Sequence, residues 1–164
     1  MTQQVIVTGA SSGIGRATAL RFGRAGAQVL VVGRDEAALA EVAATIAREG
    51  GQAAVLQADV TQGAAPERIV AAALHRFGGL TTLVNAAGII GSGSIESTTD
   101  PEWDNMMDIN ARAPFRLMRA AVPALTASRG TVVNVSSVTG LRAFPGVLSY
   151  CVSKAAIDQL TRCA

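Results

Sequence analysis

The sequence predicts an α/β domain in which a doubly wound parallel sheet of about five strands carries helices on both faces. Short β-branched runs alternate with longer segments whose apolar residues recur at helical spacing, which is typical of a parallel sheet with crossover helices. The strand-like runs are nearly continuously apolar, as expected where both faces of each strand are buried. At 164 residues, 49% hydrophobic and 16% charged, the composition predicts one globular domain over residues 1–164.

The five strands follow one another at intervals long enough for a helix between most of them. They are predicted at residues 5–8, 29–32, 53–57, 82–85 and 131–135. A doubly wound sheet places them in the order 3-2-1-4-5, so the third and fifth strands form the edges. An uncovered fifth strand invites pairing with another chain or aggregation.

Helices are predicted where apolar residues lie three or four positions apart. The first three begin after the first, second and third strands, and each closes near a glycine that can cap a helix end. These glycines are Gly26, Gly50 and Gly78.

A fourth helix is predicted to begin at Asp100, a good N-cap that precedes a proline, and to run past Asn110. Because Pro114 has no N–H to donate to the Asn110 carbonyl, we expect the helix to break there. The free carbonyl could then hold a water, or the proline could simply kink the helix around the core.

The turn after the first strand is rich in glycine and leads directly into the first helix. Its sequence is Thr8-Gly9-Ala10-Ser11-Ser12-Gly13-Ile14-Gly15. A helix N-terminus presents unpaired N–H groups and a partial positive charge, and glycine allows an anion to approach the backbone closely. The pattern therefore predicts a pyrophosphate site, although a glycine-rich turn can also be an ordinary tight turn.

These residues occur with further motifs later in the chain, and together they resemble one family, the short-chain dehydrogenases/reductases. The spacing of Gly9, Gly13 and Gly15 resembles the cofactor motif of that family. Asp59-Val60 looks like its adenine-contacting pair, and Asn85-Ala86-Ala87-Gly88 is similar to its Asn-Asn-Ala-Gly motif, with Ala86 in place of one asparagine. The family's catalytic tetrad is matched by Asn110, Ser137, Tyr150 and Lys154.

The resemblance covers essentially the whole chain and implies a Rossmann fold and an NAD(P)-dependent oxidoreductase that acts on a small carbonyl or alcohol. It implies that Tyr150 exchanges a proton with the substrate oxygen and that Ser137 hydrogen-bonds the same oxygen. Lys154 is implied to hold the nicotinamide ribose, and Asn110 to anchor a water that links the lysine to solvent. The implied cofactor-binding residues are Gly9, Ser11, Ser12, Gly13, Ile14, Gly15, Arg34, Asp59, Val60, Asn85, Ala86, Gly88, Tyr150 and Lys154.

The residues themselves support the pairing of Tyr150 with Lys154. Residues four apart share one face of a helix, so the ammonium can favour the ionised form of the phenol. Acid–base work near neutrality requires a shift of about 3 units from a tyrosine pKa of about 10, or ~4 kcal/mol. One lysine seldom supplies that much, so we expect a positively charged oxidised nicotinamide to contribute.

The end of the second strand, Gly33-Arg34-Asp35, bears on the choice of cofactor. An NAD enzyme usually places an acidic residue there to bind the ribose 2′-hydroxyl, and Gly33 cannot do so. The guanidinium of Arg34 suits a 2′-phosphate by charge and by geometry. NADP(H) is therefore favoured, while Asp35 keeps NAD(H) possible.

Composition argues against several other classes of protein. A net charge of +2 with no basic run argues against nucleic acid as a partner. The chain has no apolar run long enough to span a bilayer and no basic leader, which favours a soluble cytoplasmic protein. Cys151 and Cys163 lie on one predicted helix and read as reduced thiols, and no metal site is expected.

The substrate side of the site is less defined by sequence. The segments 88–99 and 138–149 are expected to line it, and the second is apolar. Its apolar residues could form a wall for a hydrophobic substrate or could simply pack in a partly buried loop. These residues are Leu141, Phe144, Pro145, Val147 and Leu148.

The last predicted helix still lacks an end signal at Ala164. Compared with the family it resembles, the chain is therefore expected to lack the last strands of the fold, including segments that relatives use in forming homo-oligomers. Three interpretations remain open. The chain is a working NADP(H)-dependent oxidoreductase, a catalytically incomplete dinucleotide-binding or structural remnant, or a fragment of a longer enzyme.

Overall fold

A five-stranded parallel sheet lies at the centre of the computed structural model, which describes residues 2–164. The strands are β1 (Gln4–Thr8), β2 (Gln28–Gly33), β3 (Gln52–Gln57), β4 (Thr82–Asn85) and β5 (Thr131–Asn134). Their order is β3-β2-β1-β4-β5, and every neighbouring pair is parallel. The predicted fold class and strand order are therefore confirmed.

Six α-helices connect and flank the strands in the described part of the chain. They are α1 (Gly13–Arg24), α2 (Glu36–Arg48), α3 (Ala65–Phe77), α4 (Asp100–Met107), α5 (Ala113–Ser128) and α6 (Leu148–Cys163). The three predicted glycine ends are confirmed. Gly26, Gly50 and Gly78 each have a φ near +80°, in the left-handed region that favours glycine at a helix C-terminus.

The sheet separates two apolar cores, as the alternation of side chains along its strands requires. On one face, buried residues of α1 and α2, such as Leu39 and Ile46, pack against Val5 and Val29. On the other face, α3 and α5 cover Leu83 and its neighbours. Helices therefore cover both faces, and the carboxyl ends of the strands are left to form a site.

Burial of all five strands on both faces, expected from their apolar sequences, is wrong for the two edges. In β3 the side chain of Val55 is 37% exposed, and in β5 that of Val133 is 45% exposed. An edge strand has a neighbour on one side only, so the helices cover it less completely. The predicted β5 is also one residue too long, although the Val135 N–H still donates to the Asn85 carbonyl at 3.0 Å.

The helix around Asn110 differs from prediction at its start and in its middle. Thr99, not Asp100, is the N-cap, and the Glu102 carboxylate accepts hydrogen bonds from the Thr99 N–H and hydroxyl at 2.9 and 2.8 Å. The helix does not break before Pro114. It widens into a π-helical segment, Asp108–Arg112, which accommodates the absence of an N–H at Pro114 and leads into α5.

The first prediction concerns the core beneath the site. Replacing Leu83, which is fully buried in the inner strand β4, with Ala should lower the free energy of unfolding by about 2–5 kcal/mol, because it leaves a cavity. Urea denaturation measures the change. Leu74→Ala on α3 is the control: this side chain is 39% exposed, so its loss should cost less than about 1 kcal/mol. Equal losses in the two variants would contradict the assigned burial.

Candidate functional site

A cavity of about 440 Å³ opens where the carboxyl ends of β1, β2, β3 and β4 meet the start of α1. Most of the residues predicted to bind a dinucleotide line it: Gly9, Ser11, Ser12, Gly13, Ile14, Gly15, Arg34, Asp59, Val60, Ala86 and Gly88. Sequence reasoning missed five further lining residues: Gly33, Ala58, Ala87, Ile89 and Ile109. Three of the five carried a sequence signal: Gly33 and Ala58 lie at the ends of predicted strands, and Ala87 lies within the Asn85–Gly88 motif.

The glycines of the β1–α1 turn have different structural roles. A Cβ on Gly9 would lie 2.8 Å from the Ala87 Cα, and one on Gly15 would collide with the Gly9 carbonyl, so both glycines permit backbone to pack on backbone. Gly13 has a φ of +51° and open space around it. The turn therefore brings the start of α1, with its unpaired N–H groups, against the cavity.

Thr8 joins this turn to the loop that follows β4. Its hydroxyl oxygen accepts hydrogen bonds from the N–H groups of Ala86 and Ala87, each at 3.1 Å. Asn85, predicted to contact cofactor, lies inside the sheet instead of on the cavity wall. It is 4% exposed, and its side-chain amide donates to the Asn134 Oδ1 at 2.8 Å.

Charged groups lie at the end of the cavity formed by β2 and β3. The Asp59 carboxylate accepts hydrogen bonds from the Thr61 N–H at 2.9 Å and hydroxyl at 2.7 Å. These two bonds, helped by the charge of Arg34, hold the pKa of Asp59 below its usual value, so the carboxylate stays ionised. Arg34 is exposed at the rim, whereas the Asp35 carboxylate caps α2 by accepting from the Ala38 N–H at 3.0 Å.

Lys154 is the single lysine of the chain, and it is buried. Its ammonium donates to the Val135 carbonyl at 2.8 Å and lies 5.7 Å from the centre of the Tyr150 ring. The predicted proximity of the two side chains is therefore confirmed. Burial lowers the pKa of Lys154, and the nearby carboxylate of Asp158 partly opposes that effect.

Asn110 is 2% exposed, and its side chain clamps the loop after β4. The amide oxygen accepts from the Ile89 N–H at 2.9 Å, and the amide nitrogen donates to the Ile89 carbonyl at 2.9 Å. The same nitrogen lies 3.0 Å from the Ser153 hydroxyl, which donates to the Tyr150 carbonyl at 2.8 Å. The side chain thus links the loop after β4 to α6, a role that sequence spacing did not reveal. A water bound to the main-chain carbonyl of Asn110 remains a prediction.

Ser137 begins a 3₁₀ turn, Val138–Gly140, and its side-chain oxygen accepts from the Thr139 N–H at 3.2 Å. The turn packs against α6, the helix that carries Tyr150 and Lys154. The four predicted catalytic residues thus lie on α6 and on two segments that contact it.

Gly88 marks the place where the dinucleotide cavity meets these catalytic candidates. A Cβ there would lie 3.2 Å from the Asn110 Oδ1 and 3.7 Å from the Lys154 ammonium. Because Gly88 also lines the cavity, a ligand that reaches its end comes close to the lysine. The cavity lining therefore meets two of the four catalytic candidates, Asn110 and Lys154, at Gly88.

The two segments expected to line the substrate side are hydrogen-bonded to each other. The Gly93 N–H donates to the Gly146 carbonyl at 2.8 Å, and the Leu148 N–H donates to the Gly93 carbonyl at 3.1 Å. Leu141 is 76% exposed and Phe144 is 43% exposed, so simple packing in a buried loop is wrong for these two side chains. Both are free to form an apolar surface beside the catalytic candidates.

Within residues 2–164, no group of three or more His, Cys, Asp or Glu side chains is arranged to hold a metal ion. No helix in that range is both long and apolar enough to cross a membrane. Cys151 and Cys163 are free thiols on α6.

Comparison with known proteins agrees with this site. A family profile described as short chain dehydrogenase matches residues 3–164. The chain belongs to the short-chain dehydrogenase family. This membership explains why the glycine turn, the Tyr150–Lys154 pair and the strand order occur together, and it gives the chain the ancestry of an oxidoreductase.

Two curated short-chain dehydrogenases illustrate the relationship. A 2,5-dichloro-2,5-cyclohexadiene-1,4-diol dehydrogenase from Sphingobium indicum is 39% identical over 160 residues, covering 97% of this chain and 64% of that protein. A 3beta-hydroxysteroid dehydrogenase from Mediterraneibacter gnavus is 40% identical over 159 residues, covering 96% of this chain and 58% of that protein. The chain therefore spans less than two thirds of the length of these relatives.

Solved short-chain dehydrogenase structures superpose closely on the chain. An alcohol dehydrogenase from Thermococcus sibiricus in complex with 5-hydroxy-NADP has a TM-score of 0.96 and 25% identity, covering 99% of this chain and 70% of that one. A short-chain dehydrogenase/reductase from Burkholderia phymatum in complex with NAD has a TM-score of 0.95 and 29% identity, covering 99% and 58%. Structural neighbours thus include proteins with each kind of nicotinamide dinucleotide.

The second prediction concerns the protonation of Lys154. Its titration midpoint should lie below the ordinary lysine pKa of 10.5, since burial disfavours the charged form. The folded protein then binds fewer protons than the unfolded chain in the pH range just below 10.5, so stability should rise with pH there. With one lysine in the sequence, NMR of protein labelled with ¹³C-lysine reports this titration as a single signal.

Asp158→Asn should lower the Lys154 midpoint further, because it removes the carboxylate that favours the ammonium. Glu41→Gln on α2, a helix of the opposite face of the sheet, is the matched control and should leave the midpoint unchanged. A midpoint at or above 10.5 in the unsubstituted protein would refute the burial argument.

Proposed function

We propose that this chain forms the dinucleotide-binding and catalytic part of an NADP(H)-dependent oxidoreductase that interconverts a carbonyl and an alcohol. The observation that carries the proposal is the continuity of the site at Gly88, where the dinucleotide cavity meets Asn110 and Lys154. A cofactor bound along the cavity would therefore present its far end to the residues of α6.

The lining of the cavity fits a dinucleotide. The start of α1, at Gly13, offers N–H groups to a pyrophosphate, and the ionised Asp59 offers a polar contact to an adenosine beside the apolar side chain of Val60. In this proposal Lys154 holds a ribose hydroxyl, which its position beside Gly88 supports. When bound, the nicotinamide supplies hydride transfer to and from the substrate carbon.

The residues of the chain supply the accompanying proton transfer. In the reducing direction the Tyr150 hydroxyl would donate its proton to the substrate oxygen, and in the oxidising direction the Tyr150 phenolate would take that proton back. The buried ammonium of Lys154, near the Tyr150 ring, favours the phenolate that remains after proton donation. Ser137 hydrogen-bonds the same oxygen and orients it.

The side chains at the end of β2 support the preference for NADP(H). Gly33 has no side chain to bind a ribose 2′-hydroxyl, and the carboxylate of Asp35 is already capping α2. The exposed guanidinium of Arg34 remains to bind a 2′-phosphate in its bidentate geometry. NAD(H) is the competing cofactor.

A second candidate function is dinucleotide binding without turnover, as expected of a remnant of such an enzyme. The exposure of Leu141 and Phe144 supports it, because a site open to water stabilises developing charge poorly.

A homo-oligomer is part of the first proposal. It is supported by the exposed Phe115 and Val122, which lie seven positions apart on α5 and share a face of that helix.

The third prediction separates the two functions. Replacing Tyr150 with Phe should lower kcat for the reduction of a panel of ketones at least 100-fold, since one acid–base group contributes about 10²–10⁴-fold. The affinity for NADPH should fall less than about tenfold, because the substitution removes at most one hydrogen bond to the cofactor, worth about 0.5–1.5 kcal/mol. Steady-state kinetics and NADPH fluorescence titration measure the two quantities.

If the unsubstituted protein binds NADPH but reduces no ketone, the second candidate function is the correct one. If Tyr150→Phe retains full turnover, the acid–base assignment is wrong. Loss of NADPH binding by the unsubstituted protein would overturn both.

The fourth prediction tests cofactor choice. Arg34→Leu should weaken NADPH binding by about 10–100-fold, because a hydrogen bond to a charged group contributes about 1.5–3 kcal/mol, and it should leave NADH binding within about twofold. Fluorescence titration with both cofactors gives the ratio. Arg76→Leu, an exposed arginine at the end of α3, is the control and should change neither affinity. A protein that binds NADH as well as NADPH before substitution would contradict the preference.

A further inference from the structure

Gly140 ends the 3₁₀ turn that begins after Ser137, and it lies directly on the backbone of α6. A Cβ at this position would stand 2.9 Å from the Lys154 carbonyl oxygen and 3.0 Å from its carbonyl carbon, and it would collide with the Asp158 carboxylate. Unstrained contacts of this kind begin near 3.4 Å. Any larger residue must therefore separate the turn from the helix by about half an ångström.

The same part of α6 is bonded to the residues just before the turn. The Lys154 ammonium donates to the Val135 carbonyl at 2.8 Å, and the Ser136 hydroxyl lies 3.4 Å from the Lys154 carbonyl oxygen. Lys154 thus contacts the serine-bearing segment through its side chain and its main chain. The position of Ser137 relative to α6 is set by these contacts together with the close approach at Gly140.

The helix cannot move away to make room for a larger side chain. Ser153 is fully buried beside Lys154, and Ile157 is 2% exposed one turn later, so a shift of α6 would disrupt a packed interface. The Asp158 carboxylate can rotate, but the Lys154 carbonyl is part of the helical backbone. A substitution at Gly140 must therefore displace the turn and, with it, Ser137.

We propose that Gly140 is a positioning residue whose missing Cβ sets the distance from Ser137 to Tyr150. This inference rests on the proposed oxidoreductase function, in which both hydroxyl groups hydrogen-bond one substrate oxygen. Such contacts require heavy-atom distances of about 2.6–3.2 Å, so a displacement of half an ångström moves one hydroxyl out of range.

Alanine at position 140 tests the space around the missing Cβ without straining the backbone. It lies outside the left-handed region, so the backbone conformation itself allows an alanine. Gly63 is the matched control: it also has an ordinary φ, and a Cβ there would meet nothing within 4 Å.

The kinetic test compares Gly140→Ala, Ser137→Ala and the double variant. Gly140→Ala should reduce kcat at least tenfold and leave the dissociation constant of NADPH within twofold, whereas Gly63→Ala should change neither. If Gly140 acts through Ser137, the double variant should lose no more activity than Ser137→Ala alone. Additive losses, or an unchanged kcat in Gly140→Ala, would overturn the proposal.

A crystal structure of Gly140→Ala provides a test that does not depend on activity. Ser137 should move away from α6 by about half an ångström or more relative to the unsubstituted protein, and an unmoved Ser137 would refute the inference. An unsubstituted protein with no turnover would count against the proposed function and would leave this structural result decisive for Gly140.

Should Gly140→Ala fail to fold, the double variant Gly140→Ala/Asp158→Ala removes the side-chain collision and keeps the contact with the Lys154 carbonyl. It should fold and retain the displacement of Ser137. Recovery of the original Ser137 position and of kcat in this variant would show that Asp158 alone made Gly140 necessary, and would overturn the proposal.

Discussion

The site depends on one buried positive charge, the ammonium of Lys154. A charge removed from water is costly unless it is hydrogen-bonded and electrostatically compensated, and here the Val135 carbonyl and the Asp158 carboxylate provide both. Because Val135 follows β5 and Lys154 belongs to α6, satisfying the ammonium also fixes the helix against the end of the sheet. The electrostatics of the candidate acid–base pair and the docking of α6 therefore arise from the same contact.

Close approach between backbone segments positions the rest of the site, as the hydrogen bond from Lys154 to the Val135 carbonyl positions α6. Gly9 lets the β1–α1 turn pack on the loop after β4, Gly15 lets α1 start against that turn, and Gly140 lets the serine segment pack on α6. In each place a methyl group would separate two backbone segments that carry candidate binding or catalytic groups. The missing side chains thus determine distances across the site.

The sequence predicted those parts of the structure that depend on local pattern or on family resemblance. The strand order, the glycine helix ends at Gly26 and Gly50 and the proximity of Tyr150 to Lys154 are examples. The π-helical widening before Pro114 and the clamp made by the Asn110 side chain could not be predicted. Each depends on which distant segment lies opposite, and apolar content and spacing do not encode that.

The cavity and the catalytic candidates are held by different parts of the fold, and this has a functional consequence. The cavity is bounded by the ends of buried strands and by hydrogen bonds such as the one from the Ala86 N–H to the Thr8 hydroxyl, so its shape follows from the stability of the sheet. The catalytic candidates lie instead among loops with exposed Leu141 and depend on the packing of α6. Under the proposed function, substitutions in the core should therefore lower dinucleotide affinity. Substitutions that disturb the contacts of Lys154 or Gly140 should instead lower turnover.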